Sequence, residues 1–263
     1  MSVTAAAPPA APRAAWRQRL RALLLPIYKP SRSRLALPVW RAVLMRPAVF
    51  EVWFRLRAWW LLATGGGLRG AAGPAASDDT FLGRVWSYNR SQMWEFYRIR
   101  TEKFMAVLRC VDALPPEPRM LVIGPRNEAE ILLLSLYGFP LKHITAIDLF
   151  SYSPKIQCMD MHDIRFPDNS FDIVYSAWTL KYSYDLPRAC RELLRVVRPG
   201  GVVVTGFSHT TAITGEVGAP LAGGLAELLE QFAPHVDWVY WQERTPVPGA
   251  DAEEVSVIFR VKK

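Results

Sequence analysis

The sequence predicts an α/β fold: a doubly wound, mostly parallel sheet of seven strands that ends in an antiparallel hairpin, preceded by a basic, helical N-terminal extension. Two observations predict the sheet. Strand-like and helix-like segments alternate between residues 119 and 207, and two β-rich runs joined by a Pro/Gly turn close the chain. A third observation predicts the extension, because the excess of positive charge lies before residue 77.

Charge divides the 263 residues into two parts. Residues 1–76 contain twelve Lys and Arg against one acid, Glu51, which gives +11; the whole chain carries +8, so residues 77–263 sum to −3. We therefore predict an Ala/Pro/Trp-rich extension and linker over residues 1–76, partly disordered, and one globular domain over residues 77–263. A domain with net negative charge gives no electrostatic reason to expect nucleic-acid binding.

The extension contains one run that predicts an amphipathic helix. It begins at Pro47, continues as AVFEVWFRLRAWWLLAT and stops at Gly65, because proline suits the first turn of a helix and glycine its end. Arg55 and Arg57 interrupt the run, so it lacks the roughly 20 apolar residues that span a bilayer. Two alternatives remain open. Residues 16–64 lie on a membrane surface, with tryptophan rings at headgroup depth, or they pack against the domain or a partner subunit.

The remaining elements follow in chain order. The Gly-rich residues 65–79 predict a flexible linker, and a helix is predicted over about residues 81–112. The predicted strands cover residues 120–124, 143–149, 155–160, 171–178, 201–207, 236–244 and 253–261, and the later predicted helices cover residues 127–138, 186–197 and 221–232. This alternation predicts βαβ units with helices on both faces of the sheet.

Two acids stand at predicted strand ends, the edge at which doubly wound sheets bind ligands. Asp148 ends the second strand, and Asp160 follows the third. A carboxylate offers two acceptor oxygens, so Asp148 is placed to accept hydrogen bonds from the vicinal hydroxyls of a ribose. The alternative for Asp148 is a solvent-exposed aspartate without a ligand.

Two sequence motifs carry a family resemblance: FPDNSFD at residues 166–172 and RVVRPGG at residues 195–201. With Asp160 eight residues before Asp168, they resemble class I S-adenosylmethionine-dependent methyltransferases of the type 11 kind, which have a seven-stranded Rossmann-like sheet. The resemblance covers residues 119–207 and implies S-adenosylmethionine as the cofactor. It implies that Asp160 accepts from the adenine amino group and that the backbone of Met161 meets the ring. The other cofactor contacts that it implies are Asp148, Leu149, Ser176, Ala177 and Trp178.

The loop after the first strand departs from the family pattern. Where the family has an acid and three glycines at alternate positions, this chain has Val122, Gly124, Arg126 and Glu128, and Pro125 stiffens the loop. We predict cofactor contacts from Gly124, Pro125, Arg126 and Glu128, with Arg126 on the cofactor carboxylate and Glu128 on its ammonium group or ribose. Alternatively, Arg126 and Glu128 pair with each other or cap the next helix, or the cofactor site is lost.

Methyl transfer from a sulfonium to oxygen or nitrogen depends mainly on positioning, so a base is not always required. His209 and Tyr182, each after a predicted strand, are the predicted catalytic residues; an ordinary surface histidine is the alternative for His209. Histidines and cysteines show no ligand spacing, so no metal is predicted. The missing G-x-G-x-x-G disfavours an NAD-linked dehydrogenase.

The predicted function is therefore S-adenosylmethionine-dependent O- or N-methylation of a small-molecule or lipid/glycan-linked acceptor. The alternative is a non-catalytic scaffold of the same fold, or a membrane- or protein-interaction module, with a degenerate cofactor loop. The expected location is the cytoplasm, with membrane association on the cytoplasmic face through residues 16–64. Removal of residues 1–76 is expected to leave cofactor affinity nearly unchanged.

Overall fold

The computed structural model describes residues 36–65, 67–70, 83, 87, 90–96, 98–210, 229–246 and 252–263. The chain divides into two compact units, residues 1–50 and residues 51–263. The predicted boundary between residues 76 and 77 lies outside the described residues, as do residues 1–35. The domain boundary therefore stays a prediction.

The helices confirm several of the sequence signals. Pro47 opens an 18-residue helix that ends at Thr64, before Gly65. In chain order, the helices used below are α1 (Ala36–Leu44), α2 (Pro47–Thr64), α3 (Arg98–Leu108), α4 (Glu128–Leu136) and α5 (Leu186–Val196). Within the described ranges, none of the helices is both long enough and apolar enough to cross a membrane.

The strands form one seven-stranded sheet and one small two-stranded sheet. In chain order they are β1 (Arg69–Gly70), β2 (Met120–Ile123), β3 (Ile144–Asp148), β4 (Phe150–Ser151), β5 (Ile156–Cys158), β6 (Phe171–Ala177), β7 (Val197–Thr210), β8 (Val236–Pro246) and β9 (Ala252–Val261). The large sheet has the order β5-β3-β2-β6-β7-β9-β8; its first five strands are parallel, and β9 is antiparallel to both β7 and β8. The predicted fold class, including the C-terminal antiparallel hairpin, is confirmed.

The sheet lies between layers that bury both of its faces. The consecutive valines 202, 203 and 204 of β7 are all fully buried, which explains a continuous apolar run in place of an alternating one. Helix α5 packs against one face through apolar residues at helical spacing. These buried residues are Leu186, Ala189, Cys190, Leu193, Leu194 and Val196.

Arg195 links the two motifs FPDNSFD and RVVRPGG in the structure. One terminal nitrogen of its guanidinium donates to the carbonyl of Phe166 and to the carboxylate of Asp168, each at 2.8 Å. The other donates to the carbonyl of Ile164 at 2.6 Å and to Glu192 at 2.8 Å. Because a planar guanidinium can satisfy several acceptors at once, this residue fixes the turn before β6 against α5.

Two strand features differ from the sequence prediction. β7 extends from Val197 to Thr210 and includes the Pro-Gly-Gly turn. The pairing with β6 is irregular there, because Phe171 pairs with Val197 but Ile173 pairs with Val202. In addition, Arg69 and Gly70 pair with Ser151 and Phe150. The predicted flexible linker is therefore hydrogen-bonded at these two positions, and residues 71–80 lie outside the described part of the chain.

Candidate functional site

The loop after β2 is packed closely against the segment after β6. Gly124 has φ +70°, and a Cβ atom on it would lie only 2.4 Å from the side chain of Thr179. The Thr179 hydroxyl donates to the carbonyl of Ile123 at 2.9 Å, and the Gly124 amide donates to Ile147 at 2.8 Å. Gly124 therefore meets both a conformational and a steric requirement for glycine.

Asn127 is a structural residue of this loop that sequence reasoning missed. Its side-chain oxygen accepts from the Ala129 amide at 3.0 Å and so caps α4. Its side-chain nitrogen donates to the carbonyls of Glu95 at 3.0 Å and Met93 at 3.3 Å. An asparagine directly before a helix with acids in its first turn is a recognisable capping signal, but its second attachment is not.

Glu128 contacts other parts of the protein through both of its carboxylate oxygens. The side chain is buried and forms a two-point ion pair with Arg57 of α2, in which Nη2 donates to Oε1 at 3.1 Å and Nε donates to Oε2. The Ser153 hydroxyl also donates to Oε1. Through these contacts its side chain holds α2 and the segment after β4 against the loop. The cofactor contact expected of Glu128 stays a prediction.

Arg126 and Asp148 connect the loop to the end of β3. Arg126 has φ +53°, and its amide donates to Oδ2 of Asp148 at 2.9 Å. Oδ1 of Asp148 accepts from the Phe150 amide at 3.3 Å. Asp148 is buried, so the alternative of a solvent-exposed strand-end aspartate is wrong. Burial raises the pKa of Asp148 to about 6, against the backbone N–H groups and the nearby Arg126 charge, which favour its ionised form.

Asp160 lies in a compact polar cluster. Oδ1 accepts from the His162 amide at 2.8 Å and lies 2.6 Å from Nδ1 of the same residue, while Oδ2 accepts from the Tyr184 hydroxyl at 2.8 Å. The buried His162 ring stacks on Tyr184 at 3.7 Å, and its Nε2 lies 2.7 Å from the Ser183 hydroxyl. Burial opposes ionisation of Asp160, but these hydrogen bonds outweigh it and lower its pKa to about 2.

A second buried acid lies beside the loop on α4. Glu130 accepts from the Thr101 hydroxyl at 3.4 Å. Burial raises the pKa of Glu130 to about 7, although Tyr175, Thr101 and the Arg126 charge each lower it. The sequence alone assigned Glu130 no role, because an acid in the first turn of a helix is already explained by its favourable interaction with the helix dipole.

The residues predicted to line the cofactor edge end β6. Ser176 and Ala177 are buried within the strand, whereas Trp178 follows it with φ +65° and donates its amide to Gly206 at 2.8 Å. The Trp178 ring packs against Phe104 of α3 at 5.9 Å. In the segments that follow β5 and β3, Met161 is buried in the hydrophobic core and Leu149 is half-buried beside Asp148. Trp178 is thus the largest side chain at this edge.

The two predicted catalytic residues lie on different elements. Tyr182 ends a 3₁₀ turn, Leu180–Tyr182, and the Lys181 ammonium lies 4.9 Å from its ring centroid. His209 lies within β7, opposite Glu253 of β9, and not beyond the strand as predicted. Their catalytic roles stay predictions. Within the described ranges, His, Cys, Asp and Glu side chains form no group that could hold a metal ion.

The structure brings some of the predicted cofactor-binding residues together and places others in separate clusters. Gly124, Arg126 and Asp148 form a connected loop at the carboxyl edge of the sheet, with buried Pro125 between them. Asp160 belongs to its own cluster at the next strand end. Glu128 contacts Arg57 and Ser153.

Sequence comparisons match this part of the chain. Residues 123–205, about a third of the chain, match the family model described as a methyltransferase domain. A malonyl-[acyl-carrier protein] O-methyltransferase of Halorhodospira halophila is 45% identical over 78 residues, which are 30% of this chain and 26% of that protein. A 2-methyl-6-phytyl-1,4-hydroquinone methyltransferase of Synechocystis is 31% identical over 105 residues, or 36% of this chain and 33% of that protein. The matches thus span a third or less of these relatives.

Solved structures resemble the fold over a larger part of the chain. The N-methyltransferase NodS of Bradyrhizobium japonicum, in complex with S-adenosyl-L-homocysteine, has a TM-score of 0.51 at 16% identity and covers 68% of this chain and 100% of its own. The 1,6-didemethyltoxoflavin-N1-methyltransferase of Burkholderia thailandensis, with its substrate and S-adenosylhomocysteine bound, also has a TM-score of 0.51, at 14% identity, and covers 74% of this chain and 95% of its own. Their likeness to this chain lies in the fold.

Proposed function

Because the chain belongs to the class I S-adenosylmethionine-dependent methyltransferases, we propose that it transfers the methyl group of S-adenosylmethionine to oxygen or nitrogen of a small-molecule or lipid/glycan-linked acceptor. The observation that carries the proposal is the pair of acids, Asp148 and Asp160, held by hydrogen bonds at adjacent strand ends beside the Gly124 loop. Relatives named malonyl-[acyl-carrier protein] O-methyltransferase and 2-methyl-6-phytyl-1,4-hydroquinone methyltransferase support methyl transfer, the first of them to oxygen.

The polar groups of this edge fit the cofactor. Its ribose hydroxyls and adenine amino group are donors, and the carboxylates of Asp148 and Asp160 are acceptors. Asp148 is the candidate partner of the ribose and Asp160 that of adenine, with Leu149 and Met161 beside them and Trp178 at the edge. When bound, the cofactor supplies an activated methyl group on a sulfonium sulfur.

The protein's own contribution is mainly positioning. The packed Gly124 loop and the buried Asp148 supply a fixed edge, and Arg126 supplies a positive charge beside it for an anionic group. Tyr182 and His209 are the candidate acceptors of a proton from the substrate.

Isothermal titration calorimetry with S-adenosylmethionine, S-adenosylhomocysteine and NAD tests the proposal. We expect binding of the first two and no heat from NAD. Incubation with methyl-tritiated S-adenosylmethionine and separate lipid and small-molecule extracts should then label an acceptor in one extract. A folded protein that binds neither sulfur compound would overturn the proposal and favour a scaffold.

Cofactor affinity should depend on pH through Asp148. The ionised carboxylate is the better acceptor, and with a pKa of about 6 roughly a tenth of the protein is ionised at about pH 5, so affinity for S-adenosylhomocysteine should fall about tenfold between pH 7.5 and 5. Asp148→Asn should weaken binding and flatten this profile in calorimetry. The charged or titratable groups that interact with Asp148 are Arg126, Glu130 and Cys158. An unchanged pH profile in Asp148→Asn would assign the titration to another group, Glu130 first.

The contribution of Asp148 to stability should have the opposite sign. Its folded-state pKa, about 6, lies above the ordinary 3.8, so the folded protein holds this proton more tightly than the unfolded chain. Stability from Asp148 is therefore present at low pH and is lost as the pH rises through about 6. Cofactor binding and unfolding measurements on the same samples separate the two effects.

Two truncations should differ in cofactor affinity. Removal of residues 1–50 keeps Arg57 and Arg69, whereas removal of residues 1–76 deletes both and leaves Glu128 without its ion-pair partner. We expect the shorter truncation to bind S-adenosylhomocysteine within about twofold of the full chain, and the longer one at least about tenfold more weakly. This revises the expectation of unchanged affinity, and equal affinities in calorimetry would restore it.

We also propose that residues 16–64 associate with a membrane surface on the cytoplasmic side. Net charge of +11 over residues 1–76 supports attraction to anionic lipid. A lipid-linked acceptor would then be presented at the same surface. Residues 16–35 of this segment lie outside the described part of the chain.

A further inference from the structure

We infer that the outer face of α2 docks on an anionic lipid bilayer through three apolar side chains, Val52, Leu56 and Trp59, which we call the outer stripe. These residues are 60%, 63% and 57% exposed. Their spacing of four and three residues places them on one side of the helix. This inference deepens the proposed membrane association and is independent of methyl transfer.

The opposite face of α2 is fixed to the domain. Phe54 and Ala58 are buried, and Arg57 forms its ion pair with the buried Glu128. A helix that is apolar on both faces is normally buried on both. In α2 only the inner face is buried, and the outer stripe is exposed. Since the inner face is anchored, the helix cannot turn the outer stripe inward.

The chemistry of the stripe and its surroundings favours an anionic bilayer as the occupant. Trp59 combines a large apolar ring with an indole N–H, which suits the interface between acyl chains and headgroups. Arg55 and Glu51 beside the stripe form an exposed pair at 2.6 Å and cancel, so the positive charge comes from the rest of residues 1–76, which sum to +11. Such a charge is attracted to phosphatidylglycerol or phosphatidylserine and has no equivalent pull toward a neutral bilayer.

Docking in this way would bring the candidate cofactor site to the membrane. Arg57 contacts Glu128, which opens α4 directly after the Gly124 loop, and Arg69 donates to the carbonyl of Ser153 at 2.6 Å. The cofactor loop therefore lies directly behind the helix that carries the stripe. An acceptor embedded in the bilayer would need little extraction to reach it.

Vesicle sedimentation of the full chain tests the inference. The test variant is Leu56→Glu/Trp59→Glu, and the matched control is Trp238→Glu/Val239→Glu on β8, because Trp238 is 61% exposed and lies outside α2. We expect the wild type and the control to sediment with phosphatidylglycerol/phosphatidylcholine vesicles and not with phosphatidylcholine alone. The bound fraction of the test variant should fall at least about tenfold, and added salt should weaken binding of the wild type.

Three results would overturn the inference: no binding of the wild type to anionic vesicles, equal binding of the test variant, or a wild-type dimer in light scattering that the test variant abolishes. Calorimetry with S-adenosylhomocysteine in the absence of vesicles provides the separate readout. It should give the same affinity for wild type, test variant and control. Absence of cofactor binding in all three proteins would reject the proposed methyl transfer and would not affect the conclusion on lipid binding.

Discussion

Replacement of Arg57 by methionine should lower the free energy of unfolding by about 3 kcal/mol, because it leaves the buried Glu128 carboxylate without its ion-pair partner. Methionine keeps the apolar contacts of the arginine stem. Urea unfolding followed by circular dichroism measures the change. The matched control is Arg55→Met on the same helix, where the exposed pair with Glu51 should cost no more than about 0.5 kcal/mol.

A second substitution distinguishes charge burial from packing. In Arg57→Met/Glu128→Met, no buried charge remains, so the double variant should recover most of the stability that Arg57→Met loses. Ser153 would lose one acceptor, which limits the recovery. If Arg57→Met and Arg55→Met cost the same, the Arg57–Glu128 contact does not hold α2 on the loop, and the anchored inner face would have to be abandoned.

The Arg57–Glu128 pair also explains why this loop departs from the family's glycine pattern. At the position of the family's third glycine, Glu128 points to α2 and Ser153. The extension thus supplies the partner for an unusual loop residue. Glu128 in place of this glycine therefore attaches α2 to the loop.

The fold could be predicted because its signals are local. Apolar runs, turn residues and the motifs FPDNSFD and RVVRPGG all depend on neighbours within a few residues. Within these segments, the Ser170 hydroxyl donates to the carbonyl of Pro167 and the Arg195 guanidinium donates to Glu192, and each contact joins residues three positions apart. Such local contacts can be recognised in the sequence because they require certain residue types at fixed spacings.

The site was only partly predictable because its decisive contacts join distant segments. Asp148 and Asp160 follow from strand ends, but the partner of Glu128 lies 71 residues away, and Tyr184 lies 24 residues from Asp160. Nothing in the local sequence of either segment indicates these pairings. One signal was available for Arg57, which shares the face of α2 with Phe54 and Ala58.

Asp160→Asn should weaken binding of S-adenosylhomocysteine by about 10- to 100-fold, because it replaces a charged acceptor by a neutral amide whose NH₂ opposes the adenine amino group. With a pKa of about 2, Asp160 is ionised throughout pH 5 to 8, so the loss should not vary with pH, unlike that of Asp148→Asn. Tyr184→Phe is the control: it removes one donor to the same carboxylate and keeps the charge, and affinity should change no more than about threefold. Calorimetry measures affinity, and urea unfolding reports any damage to the His162–Ser183 contact. Should Asp160→Asn bind as tightly as wild type while unfolding more easily, Asp160 would serve to hold His162, and adenine would lie elsewhere along the edge.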